Sequence, residues 1–391
     1  MRILILHNRY KFAGGEEAVV YSEAELLRQH GHYVRLFELS NESLDKFSFL
    51  RKLMLPARSI WSYQAYRQTR SIIREEKIDI AHVHNTFFLL SPSVYYACRR
   101  ENVPVIQTLH NYRFLCPLAT LYRDGKVCRE CLDQGLGMSI KYKCGSKPMV
   151  WTLTMLCVLK LHYMNNTFKK MIDTYIALSN FTKEQFMQAG FDAGKIKVKP
   201  NFISFDPGFS SEKEDFALCV GRFSPEKGID LLIEAWKKID FLPLKIIGSG
   251  DDYRRLKQYA EKNSLKIEFL GQRTNNEVID CIKRSLFVIL PSRCNENFPR
   301  IIVESFACGV PVIASNRGAL AEIVENNKTG LLFDPENTDD LAGKVSLLFR
   351  NRELIKVMSN NARREFENKY TAERNYEMLI SIYKDTINRF N

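Results

Sequence analysis

Two carboxylates stand eight residues apart in the run CNENFPRIIVESFACGVPVIA, residues 294–314: Glu296 in a polar loop and Glu304 inside an expected helix, Arg300–Cys308. Apolar runs at Leu286–Leu290 and Pro311–Ala314 flank them as strands. Acids placed at strand ends of an open α/β sheet can grip the vicinal hydroxyls of a ribose and of a sugar. A second run, GRFSPEKG at 221–228, puts Arg222 and Lys227 five residues apart, directly after the apolar Phe216–Val220. Two cations so placed can clamp a diphosphate and do without a metal what a magnesium ion often does. Ile246–Asp251, with Gly248, is another strand-to-glycine turn on the same sheet edge. Phe269–Arg273, with Gln272 and Arg273, is a strand-end loop suited to meeting a nucleobase. Near the N-terminus, His7–Gly15 ends in Gly14 and Gly15 at the mouth of a helix. This loop is not a GxGxxG fingerprint, but without Cβ atoms its backbone can come close to a ligand, and free N–H groups there can attract an anion.

Four cysteines, Cys116, Cys128, Cys131 and Cys144, form C-x11-C-x2-C-x12-C in a basic polar segment. The central C-x2-C has the reach of a chelating knuckle, and four thiolates would complete a tetrahedral structural zinc. Free thiols, or two bridges if oxidised, are the other readings. The remaining six cysteines are scattered and read as small core residues.

The elements that must carry these groups alternate along the chain. In the first half, strands are expected near Arg2–Leu6, Tyr33–Glu38, Ile78–Val83, Val103–Leu109, Thr174–Leu178 and Lys195–Val198, with helices between them. The second half repeats the pattern from Phe216 to Ala314. Strand and helix in turn predict two parallel, helix-flanked sheets. A chain of 391 residues is too long for one ordinary core. We expect a first domain over 1–203 with a cysteine-containing insert at about 113–165, a second over 204–371 with Ser204–Asp215 as linker, and a long helix over 372–391.

The charge is uneven. Residues 1–200 hold 29 Lys+Arg against 17 Asp+Glu, and 201–391 hold 28 of each, so the net +12 lies entirely in the first half. That half can meet an anionic membrane surface. Residues 46–61 and 138–164, which mix basic and large apolar side chains, could lie on a bilayer or pack on the sheet. Met149–Leu159 is too short to span a membrane, and Arg9 and Lys11 interrupt any signal-like N-terminal run. The expected place is therefore cytoplasmic, peripheral on the inner face of the cell membrane. No recognition-helix or aromatic-rich basic ribbon speaks for nucleic acid.

The chain resembles the family 4 glycosyltransferases of the GT-B fold. The matching pieces are Gly14-Gly15, Thr108-Leu109-His110-Asn111, Ser179-Asn180, Pro200-Asn201, GRFSPEKG, IIGSGDD, FLGQR, residues 290–315 and GLLFDP. The resemblance implies two Rossmann-like domains facing a cleft, with the C-terminal helix crossing back to the first. It implies that Glu304 holds the ribose, that Glu296 faces the donor sugar, and that Phe298, Arg300 and Ile301 offer backbone contacts beside it. Arg222 and Lys227, helped by Gly15, would hold the diphosphate. His110 would lie near the donor sugar, and Glu17 could bind the acceptor. Two departures from the family pattern are Asn297 and Pro299, where glycines are usual; Pro299 has no N–H to offer a ligand.

The implied activity is transfer of a sugar from a UDP- or GDP-sugar to a glycan or lipid-linked oligosaccharide, with retention and without a catalytic metal. Surface-polysaccharide synthesis is the implied setting. A nucleotide-sugar epimerase on the same scaffold, or a non-catalytic nucleic-acid or glycan binding module, are the alternatives.

Overall fold

The structure is a computed structural model and describes residues 1–10, 14–46, 48, 53–145, 149–209 and 212–390. The chain divides into two compact units. One comprises Met1–Leu121, Cys128–Pro200 and Ala372–Asn391; the other comprises Tyr122–Val127 and Asn201–Thr371.

The first unit holds strands β1 (Arg2–Arg9), β2 (Tyr33–Ser40), β3 (Ile80–Asn85) and β4 (Val105–Leu109). The two-residue strands β5 (Tyr122–Arg123) and β6 (Lys126–Val127) form an antiparallel hairpin that belongs with the second unit. β7 (Thr174–Ala177) and β8 (Ile196–Val198) complete the first sheet, whose order is β2-β1-β3-β4-β7-β8, all parallel. Its strands are apolar on both faces, as a sheet covered by helices on each side requires. Ile3 and Ile5 join Ile80, Ile106 and Ile176 on one face, under Leu27 and the C-terminal helix residues Leu379 and Tyr383. Leu4 and Leu6 point the other way, to Val83, Tyr95 and Phe168. Burying one such aliphatic side chain stabilises by roughly 1.5–3 kcal/mol.

The second sheet is built from β9 (Ala217–Val220), β10 (Leu244–Ile247), β11 (Ile267–Gly271), β12 (Phe287–Leu290), β13 (Val312–Ser315) and β14 (Gly330–Phe333). Its order is β11-β10-β9-β12-β13-β14, again parallel. Trp236, Leu348 and Met358 from the flanking helices fill one face against Ile246, Phe287 and Ile313.

Every strand expected from the apolar runs forms, within three residues at each end. Strand β14 and helices Gly318–Ile323, Thr338–Arg350 and Arg352–Lys369 were not anticipated. Strand β14 opens on Gly330 directly after a polar turn, so only three apolar residues mark it in the sequence. Of the stretch 46–61, residues 47 and 49–52 lie outside the described residues, and the rest includes a short helix, Leu55–Ile60. The stretch 138–164 includes a helix, Met149–Met164, that buries Met155, Val158, Leu159 and His162. Its other face leaves Val150, Leu153 and Met164 exposed. Among the described residues no helix is long and apolar enough to cross a membrane.

Candidate active site

Strand order reverses between β9 and β12, so the loops after these two neighbours diverge and leave a crevice outside the strand ends. Both acid-base runs of the second unit arrive there. After β9 the chain turns through Gly221–Ser224 into a short 3-10 turn, Pro225–Lys227, closed by Gly228 in the left-handed region at φ 65°. A Cβ on Gly228 would stand 2.0 Å from the Pro291 carbonyl oxygen, so only glycine lets this turn lie against the end of β12. The loop after β12 is tied down in return: the Arg293 N–H donates to the Glu226 carbonyl at 2.9 Å. The Arg293 guanidinium grips Asp230 through two contacts at 2.9 and 2.7 Å.

This pairing of loops brings Lys227 and Glu296 together. Lys227 Nζ donates to Glu296 Oε1 at 2.5 Å, and the Ser292 hydroxyl donates to the same oxygen at 2.7 Å. Burial pushes the Glu296 carboxyl up, but Lys227, Ser292 and Arg222 outweigh it and hold it below the ordinary range. Burial likewise opposes the Lys227 charge, and Glu296 more than restores it, so its pKa is raised. Both groups are thus ionised at neutral pH. Arg222 is two-thirds exposed and only loosely paired, 3.7 Å from Glu226, which leaves its guanidinium available to a ligand.

Glu304 lies on the helix Arg300–Ala307, whose N-cap is Pro299. It is buried, and its carboxyl is pushed up by burial, opposed in part by Arg300 at 3.3 Å. The helix N-terminus leaves the Arg300 and Ile301 N–H groups without intrahelical acceptors. Phe298 is buried edge-on to Tyr370, and its carbonyl already accepts from Asn201 Nδ2 at 3.3 Å.

Gly248 at the end of β10 has φ 146°, and a Cβ there would meet the Gly221 carbonyl oxygen at 1.9 Å. The 248–250 loop therefore lies flat on the 221–223 loop, with Phe223 N–H donating to Ser249 at 2.9 Å. Gln272 and Arg273 follow the edge strand β11, exposed; Arg273 stands 3.8 Å from Glu277.

In the first unit the mouth of helix Gly15–Gln29 differs from the expected open anion site. Glu17 reaches back as a cap: its carboxylate accepts from Gly14 N–H at 2.7 Å and from Tyr10 N–H at 3.0 Å. The chain's own acid thus uses the donor that Gly14 was expected to offer. Glu17, expected at the acceptor, is instead buried holding the loop. Residues 11–13 of this loop lie outside the described residues. Neighbouring Glu16 is pushed up to about 8 by burial and by Glu17, with Asn111 Nδ2 at 3.5 Å.

His110 follows β4, and its Nε2 lies 2.8 Å from His84 Nδ1 on β3. Behind it stand His82, Glu23 and Lys199, all fully buried, with Lys199 Nζ 2.6 Å from Glu23 Oε1. Sequence reading took β3 as an ordinary buried strand. The alternation His82, His84 in an apolar run was the signal for two polar groups on one face. Ser292, Glu23 and Lys199 gave no comparable signal.

Among the described residues, Glu23, His82 and His84 have ligand atoms within 4.8 Å of one another. The Lys199 ammonium already neutralises Glu23 and would repel a cation, so this set is an ion-paired network rather than a metal site. The four cysteines of the insert are half-buried. Cys131 is pushed up to about 12 by burial and by Cys116, Cys144 and Cys128, which places all four thiols in one neighbourhood. Their sulfurs do not form a set of three within 4.8 Å.

Residues 13–206 match the model for Glycosyltransferase Family 4, and residues 202–365 match that for Glycosyl transferases group 1. An uncharacterized glycosyltransferase of Methanocaldococcus jannaschii is 39% identical over 54% of this chain and 60% of its own length, so the match spans less than two thirds of that relative. An uncharacterized 42.6 kDa protein in the cps region of Klebsiella pneumoniae is 24% identical over 81% of this chain and 85% of its own. The crystal structure of Anabaena HepE in complex with UDP-glucose superposes with a TM-score of 0.66, over 98% of this chain and 100% of that one, at 19% identity. The chain therefore belongs to the group 1, family 4 glycosyltransferases, a retaining and metal-independent family, and has their GT-B fold.

Proposed function

We propose that this protein transfers a sugar from a nucleoside diphosphate sugar, UDP- or GDP-linked, to a glycan or lipid-linked acceptor of a surface polysaccharide. The observation that carries the reading is the meeting of Lys227 and Glu296 at the β9/β12 switch point, with Arg222, two-thirds exposed and only loosely paired with Glu226, nearby. Breaking a sugar–phosphate bond leaves negative charge on the departing diphosphate. Arg222 and Lys227 stabilise that charge, and Glu296 accepts hydrogen bonds from the sugar it departs from. Glu304 takes the ribose hydroxyls, and the N–H groups of Arg300 and Ile301 add donors. The backbone of Gly248, Gln272 and Arg273 frames the base. Front-face attack, with the leaving phosphate taking the acceptor proton, retains configuration and needs no separate carboxylate base.

The likeness to a protein in a Klebsiella pneumoniae cps region supports the polysaccharide setting. A lipid-linked acceptor is supported by a cavity of about 510 Å³ in the first unit, lined by Phe114, Leu115, Leu132, Leu136, Tyr163 and Met164. The exposed apolar face Val150, Leu153, Met164 beside Lys160 suits contact with an anionic inner-membrane surface. We also assign the four cysteines of the insert to a structural zinc: their donor set fits the metal, and side-chain rotation would have to draw the sulfurs closer. We take the first unit, Met1–Leu121 and Cys128–Pro200 with Ala372–Asn391, as the acceptor side, and the second, Tyr122–Val127 with Asn201–Thr371, as the donor side.

Incubation with separate nucleotide sugars and a glycan acceptor, followed by assay of released nucleoside diphosphate, tests the reading. Donor turnover with no acceptor would instead favour the epimerase alternative.

A further inference from the structure

We infer that Glu23 and His84 fix His110 in a single tautomer, Nε2 protonated and Nδ1 bare, so that His110 serves as hydrogen-bond acceptor for a substrate hydroxyl and not as an acid. This rests on the proposal above only in giving His110 a substrate; the tautomer itself follows from contacts inside the first unit.

The buried polar network starts at Lys199. Its ammonium is fully buried and lies 2.6 Å from Glu23 Oε1 and 3.3 Å from Asn375 Oδ1. A buried ammonium needs an anion, so Glu23 is a carboxylate and can only accept. Its other oxygen, Oε2, faces His84 Nε2 at 3.6 Å and His82 Nδ1 at 3.9 Å. His82 is already satisfied on both sides, by Tyr383 Oη at 2.7 Å and Thr108 Oγ1 at 2.7 Å. His84 Nε2 and Glu23 Oε2 are each buried with no closer partner among the described residues. At 3.6 Å, beyond hydrogen-bond length, a proton on His84 Nε2 is attracted to the Glu23 carboxylate, whereas a lone pair there would be repelled by it, so the field of Glu23 puts the proton on Nε2. A neutral imidazole carries one proton, so His84 Nδ1 is a bare acceptor. It stands 2.8 Å from His110 Nε2, which must therefore carry the proton of that bond. His110 Nδ1 is left with a lone pair and no hydrogen bond to any described residue.

The surroundings keep both rings neutral. Burial holds His84 and His110 well below the ordinary histidine range, and Lys199, His82 and His7 push the same way. His7 stands edge-on to His84 with ring centres 6.4 Å apart. A bare Nδ1 on a neutral ring accepts a hydroxyl proton in a hydrogen bond; it has none to give.

The test is a long-range ¹H–¹⁵N spectrum of the full chain labelled at imidazole nitrogens, with His110 assigned by loss of its signals in His110→Gln. The expected spectrum at neutral pH shows His110 Nε2 protonated and Nδ1 unprotonated; the reverse pattern would overturn the inference. A kinetic pair reads the same bond. Asn places an amide oxygen where His84 Nδ1 accepts, so His84→Asn should keep kcat within about threefold. His84→Leu should lose tenfold or more in kcat with little change in KM for the donor. Equal losses in the two variants, both folded by circular dichroism, would show that packing and not the tautomer matters. The expected tautomer together with unchanged turnover in His110→Ala would overturn the substrate-facing part alone.

Discussion

Lys227 Nζ lies 2.5 Å from Glu296 Oε1, so the cation assigned to the diphosphate and the acid assigned to the sugar neutralise each other before any ligand arrives. The site is therefore preorganised, with both charges held in a partly buried crevice at little net charge. A diphosphate entering there adds an anion to a lysine that already has one, and the exposed Arg222 is the second cation that can balance it.

Lys227→Met should weaken nucleoside diphosphate binding by about ten- to a hundredfold, as loss of a charge-assisted contact implies. It should also leave Glu296 buried without its cation, at about 3 kcal/mol in stability. Titration calorimetry with UDP and GDP, paired with urea unfolding, separates the two effects. A Lys227→Met/Glu296→Gln double variant should recover much of the stability and none of the binding.

Glu16 makes stability fall with rising pH. Its carboxyl is pushed up to about 8 in the folded chain from an ordinary value of 4.5. Between those values the folded state holds a proton that the unfolded state has released. Unfolding free energy should therefore drop by about 1.4 kcal/mol per pH unit in that window, before other groups are counted. Urea unfolding at intervals across it should show the decline, and Glu16→Gln should flatten it. An unchanged slope in that variant would remove Glu16 as its source.

The Glu23–Lys199 pair should be a strong single-site liability. Lys199→Met alone strands a fully buried carboxylate and should cost about 3–5 kcal/mol. Replacing both partners with apolar residues should cost much less. A double-mutant cycle by urea unfolding gives the coupling directly.

If the insert holds zinc, purified protein should carry close to one equivalent by elemental analysis, and Cys131→Ser should abolish it. Chelation should then lower the melting temperature, because a ligand that binds only the folded chain stabilises it. Metal-free protein with four titratable insert thiols and unchanged melting would contradict the assignment.

Much of the fold was legible because parallel strands buried on both faces stand out as apolar runs, such as Arg2–Leu6 and Leu286–Leu290. Strand β14, no shorter than β9 or β12, escaped because it opens on Gly330 and only three apolar residues stand out after the polar turn before it. The second-unit site was legible for a related reason: Arg222, Lys227, Glu296 and Glu304 interrupt apolar or glycine-rich runs at strand ends. Their mutual contacts were not, since the Lys227–Glu296 bond depends on which strands are neighbours. Gly14 and Gly15 misled because the sequence shows the open helix mouth but not the Glu17 side chain folding back over it. The Glu23–His84–His110 chain draws on a helix and two strands far apart in sequence, and only the sheet order joins them.

The most direct test compares wild type with Glu304→Ala for release of nucleoside diphosphate from a panel of UDP- and GDP-sugars in the presence of a glycan acceptor. At least one donor should be turned over by wild type, and Glu304→Ala, folded to the same extent, should retain a few per cent or less of that rate. Equal rates in the two proteins, or a wild type that neither binds nor consumes any nucleotide sugar, would contradict the account.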